Sequence, residues 1–416
     1  MVKDKKLKEL QWAYLALAGA FALLIVIGMA SVFSTTFVTD RVQVGNPYDH
    51  LIKQGVLLAI SFIPAWYIQR REIASWRPYI LLGVIGTIFL LVAVLAMGVH
   101  VNGAKRWLGV GSFTFQPSEL AKIVGVLYTA SLLARAVDHK HHIEFFQHAF
   151  AKKNRTTWLK KHIKVPHISL WAPLAMAVLV FLQPDGGTGA VILAMPVVML
   201  LVSGAHILRV KKWIFAGIAA LILYFVMAPY RWNRIVSWWD PWAYAKTLGY
   251  QTVQSLTAIG SGGILGQGIG EGTFKFDYLP EAHTDFAFAI LAQEWGLRGS
   301  VFVVAIFCVI IYFGIFTAWQ SKKTFSMFTA LGIALYFGGQ GCINIGMVSG
   351  LLPVVGVPLP FVSYGGTSLV VNVIAASLLL RIAKENYQDQ LRQLERKRMV
   401  PVRHELDEER SQFPST

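Results

Sequence analysis

Residues 79–98 have the sequence YILLGVIGTIFLLVAVLAMG, twenty consecutive positions without a charged side chain. A helix of this length spans about 30 Å, which is the thickness of the hydrocarbon core of a bilayer. No face of such a helix is polar, so it needs apolar surroundings on every side. The stretch therefore predicts a transmembrane helix.

The rest of the 416-residue chain has the same character, because 55% of it is hydrophobic and only 14% is charged. A typical soluble domain carries about 25% charged residues. This composition excludes a disordered chain, a coiled coil and a collagen-like fibre, and it argues against a water-soluble enzyme. We predict an all-α polytopic membrane protein with about ten spans, the eighth long enough to include a re-entrant piece. The candidate spans are residues 13–35, 52–69, 79–98, 116–137, 168–184, 187–206, 211–228, 283–318, 325–349 and 363–383.

The basic residues predict the orientation. Most Lys and Arg residues lie in segments that would be cytoplasmic if the N-terminus is inside, which is the distribution expected from the positive-inside rule. Both termini are then cytoplasmic. The net charge of +16 indicates contact with anionic membrane lipids and not with nucleic acid. The predicted parts are a cytoplasmic N-terminus (1–12), a membrane domain (13–385) with a basic cytoplasmic loop (138–167) and a large extracytoplasmic loop (229–282), and a charged cytoplasmic tail (386–416).

Two pairs of ionisable residues fall inside predicted spans. Glu119 and Lys122 are three positions apart in the fourth span, and Glu294 and Arg298 are four apart in the eighth. Both spacings place the two side chains on one face of a helix, where they can pair. Charges at membrane depth are costly and usually functional. For Glu294 and Arg298, a purely structural ion pair is an equal alternative.

The large extracytoplasmic loop contains a glycine-rich run over residues 260–272. It lacks the Gly-Lys-Ser/Thr ending of a phosphate-binding P-loop and does not lie in a βαβ unit. We therefore interpret it as a flexible turn or a site of close packing against a helix. Tryptophans at the start of the loop, around Trp238 and Trp239, suit a membrane–water interface.

The same loop ends with DYLPEAHTDF, residues 277–286, directly before a hydrophobic helix. Asp285 would lie in the first turn of that helix, where capping of the helix and catalysis are equal alternatives. Basic residues cluster on the same predicted side of the membrane. They suit an anionic headgroup such as a pyrophosphate, and they are Lys53, Lys105, Arg106 and Lys122.

Five motifs, taken together, resemble the FtsW/RodA/SpoVE family, the SEDS glycosyltransferases of bacterial cell-wall synthesis. The resemblance covers about residues 13–385 and leans to the FtsW branch. Residues 101–109 and 278–285 are more similar to that branch, whereas residues 352–360 are more similar to the RodA branch. The motifs are VNGAKRWLG (101–109), FQPSELAK (115–122), QPDGGTG (183–189), YLPEAHTDF (278–286) and PLPFVSYGGTS (358–368).

The resemblance implies a ten-helix SEDS fold in the bacterial cytoplasmic membrane, with an active site that faces outside and polymerises lipid II into glycan strands. It implies that Asp285 is the catalytic residue. A divalent cation, Mg or Mn, could assist, and no organic cofactor is expected. The implied partners are lipid II, a class B penicillin-binding protein and membrane lipids. The substrate-binding residues would be Lys53, Lys105, Arg106, Trp107, Glu119, Lys122, Asp277, Glu281 and His283.

Three other functions fit the hydropathy. A lipid II flippase would use the same charged residues to move the headgroup, but no chain of ionisable residues continues toward the cytoplasm. A non-catalytic scaffold of the cell-wall machinery would keep its role without Asp285. A general secondary transporter explains none of the motifs on the outer side.

Overall fold

The computed structural model describes residues 2–101, 104–110, 113–139, 146–148, 164–204, 229–276 and 278–412. Its α-helices are α1 Val2–Gln43, α2 Asp49–Arg70, α3 Ile80–Met97, α4 Pro117–Asp138, α5 Trp171–Leu182, α6 Gly186–Val202, α7 Pro229–Trp239, α8 Tyr250–Gly262, α9 Ala287–Gln320, α10 Thr324–Val348 and α11 Gly366–Gln412. Short 3-10 helices cover Ile73–Tyr79 and Ile168–Leu170. The strands are β1 Val99–Val101, β2 Ala104–Val110, β3 Phe113–Phe115, β4 Phe146–His148 and β5 Lys164–Pro166.

The described helices confirm a multi-pass membrane protein. Seven are long and apolar enough to cross a membrane, and two shorter apolar helices cover Ile168–Leu182 and Gly186–Val202. Together they correspond to nine of the ten predicted spans. The predicted span 211–228 lies outside the described residues, as does most of the loop 138–167. The orientation in the membrane stays a prediction.

Helix α3 shows how a span divides its surface between protein and lipid. Leu91 and Val94 are fully buried, whereas Leu82 and Phe89 on the other face are 68% and 70% exposed. Apolar side chains this exposed need a hydrocarbon solvent. Helix α10 lies at the centre of the bundle and packs against both α4 and α9.

A three-stranded antiparallel sheet, β1-β2-β3, joins α3 to α4. Strand β2 pairs with β3 from Leu108 opposite Phe115 onward. The sheet is tied to α11, because the Gln116 N–H donates to the Thr367 hydroxyl (3.0 Å) and that hydroxyl donates to the Thr114 carbonyl (3.3 Å). We call this end of the bundle, where α4 and α11 begin, the site end.

Helix α9 is broken at Gly296, which has a φ of 70° and a ψ of −167°. The break brings the helix against the glycine-rich run, since the Leu297 N–H donates to the Gly263 carbonyl (2.9 Å) and the Gly268 N–H to the Glu294 carbonyl (3.0 Å). A Cβ atom on Gly296 would lie 2.3 Å from the Gly266 nitrogen. The run therefore serves close packing, and the long eighth span does contain a separate helical piece.

The predicted pairing of Glu294 with Arg298 is wrong. Glu294 is buried and accepts a hydrogen bond from the Lys275 ammonium (2.8 Å), whereas Arg298 is exposed. The break at Gly296 lies between the two residues, so a spacing of four no longer places them on one helix face. Lys275 also donates to Ser34 of α1 (3.0 Å). This buried ion pair therefore fastens the loop before α9 to α1.

We predict that Gly296→Ala destabilises the protein by at least about 2 kcal/mol, because a side chain here meets backbone and must adopt a left-handed φ. The matched control is Gly86→Ala in α3, where a Cβ atom would meet nothing within 4 Å. Thermal unfolding in detergent measures both variants. Equal melting temperatures for the two would contradict this account of the break.

Candidate functional site

The loop that carries Asp285 is a compact turn before α9. Glu281 adopts a φ of 57°, and the chain reverses so that Thr284 N–H and Phe286 N–H both donate to its carbonyl (3.1 Å each). Helix α9 begins at Ala287 with Phe286 as its N-cap, and no side chain caps it. Asp285 therefore lies before the helix and not in its first turn as predicted, and its carboxylate does not serve as the helix cap.

A buried amide in α10 holds this loop in place. The side-chain nitrogen of Asn344 donates to the Asp285 carbonyl (2.8 Å) and to the Val357 carbonyl (2.7 Å). Asn344 is fully buried. It brings two loops together, and a Cβ atom added to Gly356 would lie 3.2 Å from Asp285 Oδ2. The carboxylate of Asp285 thus lies against the backbone of the segment that precedes α11.

One helical turn earlier, Gln340 links the same segment to the predicted ion pair of α4. Its amide nitrogen donates to the Pro358 carbonyl (2.9 Å), and its oxygen accepts from Lys122 Nζ (2.9 Å). Lys122 Nζ also donates to Glu119 Oε1 (2.7 Å), which confirms the predicted pairing. The side chain of Lys122 is fully buried. In this structure Lys122 and Glu119 therefore lie beneath the loops of the site and support them.

The surroundings of Asp285 set its acidity. Burial of the carboxyl group, followed by the negative charges of Glu281 and Asp185, raises the pKa of Asp285 to about 7, and the positive charges of Arg106 and Arg234 act in the opposite direction. An acid with such a pKa exchanges a proton readily at neutral pH. A carboxylate with two guanidinium groups in electrostatic reach can accept a proton beside a developing anion.

These neighbours are fixed by hydrogen bonds of their own. Asp185 caps α6 by accepting from the Thr188 N–H (3.1 Å), and it accepts from the Gln116 amide (3.4 Å). Arg106 of β2 donates to the Pro184 carbonyl, next to Asp185 in the chain. The QPDGGTG motif and the strand with Arg106 thus meet on one side of Asp285.

Other predicted site residues lie in a second group at the site end. Lys53 of α2 pairs with Asp49 (2.6 Å). His283 has its ring 5.8 Å from the ring of His50 and 5.9 Å from that of Tyr364, and burial lowers the pKa of His283. The Tyr364 N–H donates to the His283 carbonyl (2.8 Å). This group therefore adjoins the Asp285 loop through His283.

Three further predicted residues have no described contact with Asp285. Lys105 and Trp107 lie on β2, on either side of Arg106, and both are partly buried. Asp277 lies outside the described residues. Their roles as substrate-binding residues stay predictions.

The residues of the site that the sequence analysis did not assign to it include Asp185, Arg234, Gln340 and Asn344. Asp185 belongs to a motif quoted for the resemblance, and Asn344 is a polar residue inside an apolar span, which is a signal for function or for helix packing. Arg234 gives no such signal, since it lies among tryptophans that suit a membrane interface.

A divalent cation prefers several oxygen ligands that converge. Among the described residues, such a group is formed by Asp40, Asp49 and His50, whose ligand atoms all lie within 4.8 Å of one another. Asp40 is almost fully buried and bonds to both the ring and the backbone N–H of His50. Lys53 Nζ, bound to Asp49, competes with a cation for that carboxylate. These residues fit a hard or borderline cation such as Mg²⁺ or Mn²⁺.

We predict that Asp285→Asn stabilises the folded protein at high pH. The folded-state pKa of about 7 lies above the value of 3.8 in an unfolded chain, so ionisation of Asp285 disfavours folding progressively as pH rises between these values. Above pH 7 the gain should be on the order of 1–3 kcal/mol, and it should vanish near pH 4. Thermal unfolding at both pH values measures it. A variant that is less stable than wild type at pH 8 contradicts the raised pKa.

Residues 14–388 match the family of FtsW, RodA and SpoVE, described as a cell cycle protein. The chain is 35% identical over 387 residues to a probable peptidoglycan glycosyltransferase FtsW of Coxiella burnetii, covering 92% of this chain and 99% of the relative. It is 35% identical to the stage V sporulation protein E of Bacillus subtilis, covering 87% and 94% of the two chains.

Two solved structures have the same fold. One belongs to work described as the structural coordination of polymerization and crosslinking by a peptidoglycan synthase complex. It is 26% identical, has a TM-score of 0.68 and covers 89% of this chain and 98% of that one. The other is the rod shape determining protein RodA of Thermus thermophilus, at 23% identity and a TM-score of 0.60, covering 89% and 96%.

Proposed function

The chain belongs to the FtsW/RodA/SpoVE family, and on that premise we propose that it is a peptidoglycan glycosyltransferase that polymerises lipid II into glycan strands. We place it in the bacterial cytoplasmic membrane with the site end facing outside. The observation that carries the mechanism is Asp285, held by Asn344 at the site end with a pKa near 7 and within electrostatic reach of Arg106 and Arg234.

In the proposed reaction the 4-hydroxyl of the acceptor sugar attacks the anomeric carbon of the lipid-linked donor. The new glycosidic bond forms as the bond to the undecaprenyl diphosphate breaks, so the electron pair leaves with the diphosphate. The hydroxyl proton passes to Asp285, which acts as general base. The configuration at the anomeric carbon is inverted, and no covalent enzyme intermediate is required.

Positive charge assists the leaving group. We assign this role to Arg106 and Arg234, whose charges reach Asp285, and to Lys105, the neighbour of Arg106 on β2. Guanidinium groups bind diphosphate oxygens in a bidentate manner. Lys53 lies farther along the site end and would contact the same headgroup. This stabilisation is electrostatic and acts most strongly in the transition state.

The buried pair of Glu119 and Lys122 has a positioning role in this scheme. Since Lys122 holds Gln340, and Gln340 holds the Pro358 carbonyl, the pair fixes the segment against which Asp285 lies. The remaining predicted residues, Trp107, Asp277, Glu281 and His283, are proposed to contact the sugar and peptide parts of lipid II.

A divalent cation would be held by Asp40, Asp49 and His50, whose ligand atoms converge. When bound it would supply positive charge near the diphosphate. Titration of the polymerisation rate with a chelator tests this part, and a rate that is unaffected by the chelator contradicts it.

We further propose that a class B penicillin-binding protein accompanies the chain and cross-links the new strand. A solved structure of the same fold is described as part of a peptidoglycan synthase complex, which supports this partner. Co-purification with a cognate transpeptidase tests it, and failure to co-purify under conditions in which both are folded contradicts it.

The polymerisation assay uses labelled lipid II, the purified chain and its transpeptidase partner, with moenomycin present to silence contaminating glycosyltransferases. We expect long glycan strands from wild type and a loss of at least about 1,000-fold with Asp285→Asn, because a base and a charge are lost together. The matched control is Glu271→Gln, an exposed acid in the loop before α9, which should retain the wild-type rate.

The outcomes of this assay separate the alternatives. Equal product from wild type and Asp285→Asn would remove Asp285 as the base and favour a scaffold. No product from either, with headgroup translocation in liposomes, would establish a flippase instead.

The pH dependence of the rate follows from the pKa of Asp285. The base must be ionised, so the rate should rise with pH and level off above about 7. Two pH units below the pKa it should fall roughly 100-fold, since only about one carboxyl in a hundred is ionised there. A rate that stays constant between pH 5 and pH 8 would contradict this assignment of the base.

A further inference from the structure

A cavity of about 210 Å³ lies between α7, α8 and the segment that follows α10. Two of its walls are fixed by hydrogen bonds to that segment. The Trp238 indole N–H donates to the Gly350 carbonyl (3.0 Å), and the Arg234 guanidinium donates to the Val354 carbonyl (2.8 Å). The cavity is therefore formed by ordered side chains.

The remaining wall is polar and has unused hydrogen-bonding groups. Asn233, Gln251 and Thr252 line the cavity, and Thr252 is only 5% exposed. Within the described ranges, which omit residues 205–228, none of these three side chains makes a hydrogen bond. These side chains can therefore donate to and accept from a polar ligand or ordered water in the cavity.

The cavity adjoins Asp285 through the backbone of the loop before α11. Val354 lines the cavity. Gly356 follows two residues later, and a Cβ atom added to it would lie 3.2 Å from Asp285 Oδ2. Arg234 also lines the cavity, and its positive charge reaches Asp285. The cavity wall and the carboxylate of Asp285 are therefore linked by a short segment, residues 354–356, and by the charge of Arg234.

The size of the cavity limits what it can hold. A volume of 210 Å³ corresponds to about seven water molecules, and it is below the roughly 300–1,000 Å³ of sites for drug-sized ligands. One sugar ring fits this space, whereas a disaccharide with its peptide does not.

The chemistry of the walls favours a sugar over a diphosphate. The amides of Asn233 and Gln251 each offer donors and an acceptor, which match hydroxyl and acetamido groups. The Trp238 ring offers an apolar face for the C–H face of a pyranose. Among the described residues that line the cavity, Arg234 is the one cation, so a diphosphate bound inside it would leave most of its negative charge unpaired.

We propose that this cavity binds one N-acetylhexosamine ring of the glycan substrate beside Asp285, with Asn233, Gln251 and Thr252 as specificity residues. The proposal rests on the proposed function, because it assigns part of the same substrate to a second site. It adds a saccharide subsite to the residues that carry out the reaction.

The kinetic test uses Thr252→Val and Gln251→Leu, which preserve shape and remove hydrogen-bonding groups. Each should raise the KM for lipid II roughly 3–10-fold with kcat nearly unchanged, since neutral hydrogen bonds to bound substrate are lost. The matched control is Thr257→Val on the same helix, whose hydroxyl donates to the Val253 carbonyl (2.8 Å) and does not line the cavity. Unchanged KM values for both cavity variants would overturn the proposal.

A binding test is independent of catalysis. Saturation-transfer NMR with N-acetylglucosamine should show transfer to the acetyl methyl group with wild type and with Asp285→Asn, and a loss of transfer with Gln251→Leu. Equal transfer with wild type and Gln251→Leu, or none with wild type, would overturn the proposed subsite. Failure of wild type to polymerise lipid II would overturn the proposed function, and this binding result would still decide the cavity.

Discussion

The site depends on two amide side chains inside an otherwise apolar helix. Gln340 and Asn344 lie one turn apart on α10, and they bind the carbonyls of Pro358, Val357 and Asp285. Irregular backbone within a membrane protein needs such partners, because an unpaired carbonyl costs several kcal/mol in apolar surroundings. The two amides therefore allow two non-helical segments to meet at the end of a helical bundle.

The same arrangement explains how one carboxyl group can serve as a base at neutral pH. Anchoring the backbone of Asp285 holds its carboxyl group in a partly buried position, and neighbouring acids raise its pKa further. In the proposed mechanism, Arg106 and Arg234 supply the positive charge that a departing diphosphate requires. The ionised form of Asp285 therefore lowers the stability of the folded protein when no substrate is bound. Catalytic sites commonly contain residues that lower stability and are needed for activity.

The sequence was sufficient for the features that depend on local composition. Long apolar runs predicted the described spans, and the spacing of Glu119 and Lys122 predicted their ion pair. Contacts between distant parts of the chain were not predictable in this way. Asn344 reaches Asp285 across 59 positions, and Arg234 reaches Val354 across 120. The Glu294–Arg298 pairing was wrong because a glycine broke the helix on whose regularity it relied.

The most direct test of the account is the ionisation of Asp285 itself. Infrared difference spectroscopy of the purified protein can follow the carbonyl stretch of a protonated carboxyl group as pH is raised, with Asp285→Asn as the reference. The account predicts a carboxyl band that disappears with a midpoint near pH 7 and is missing from the variant. A midpoint near pH 4, the ordinary value for an aspartate, would contradict the claim that burial prepares Asp285 to act as the base.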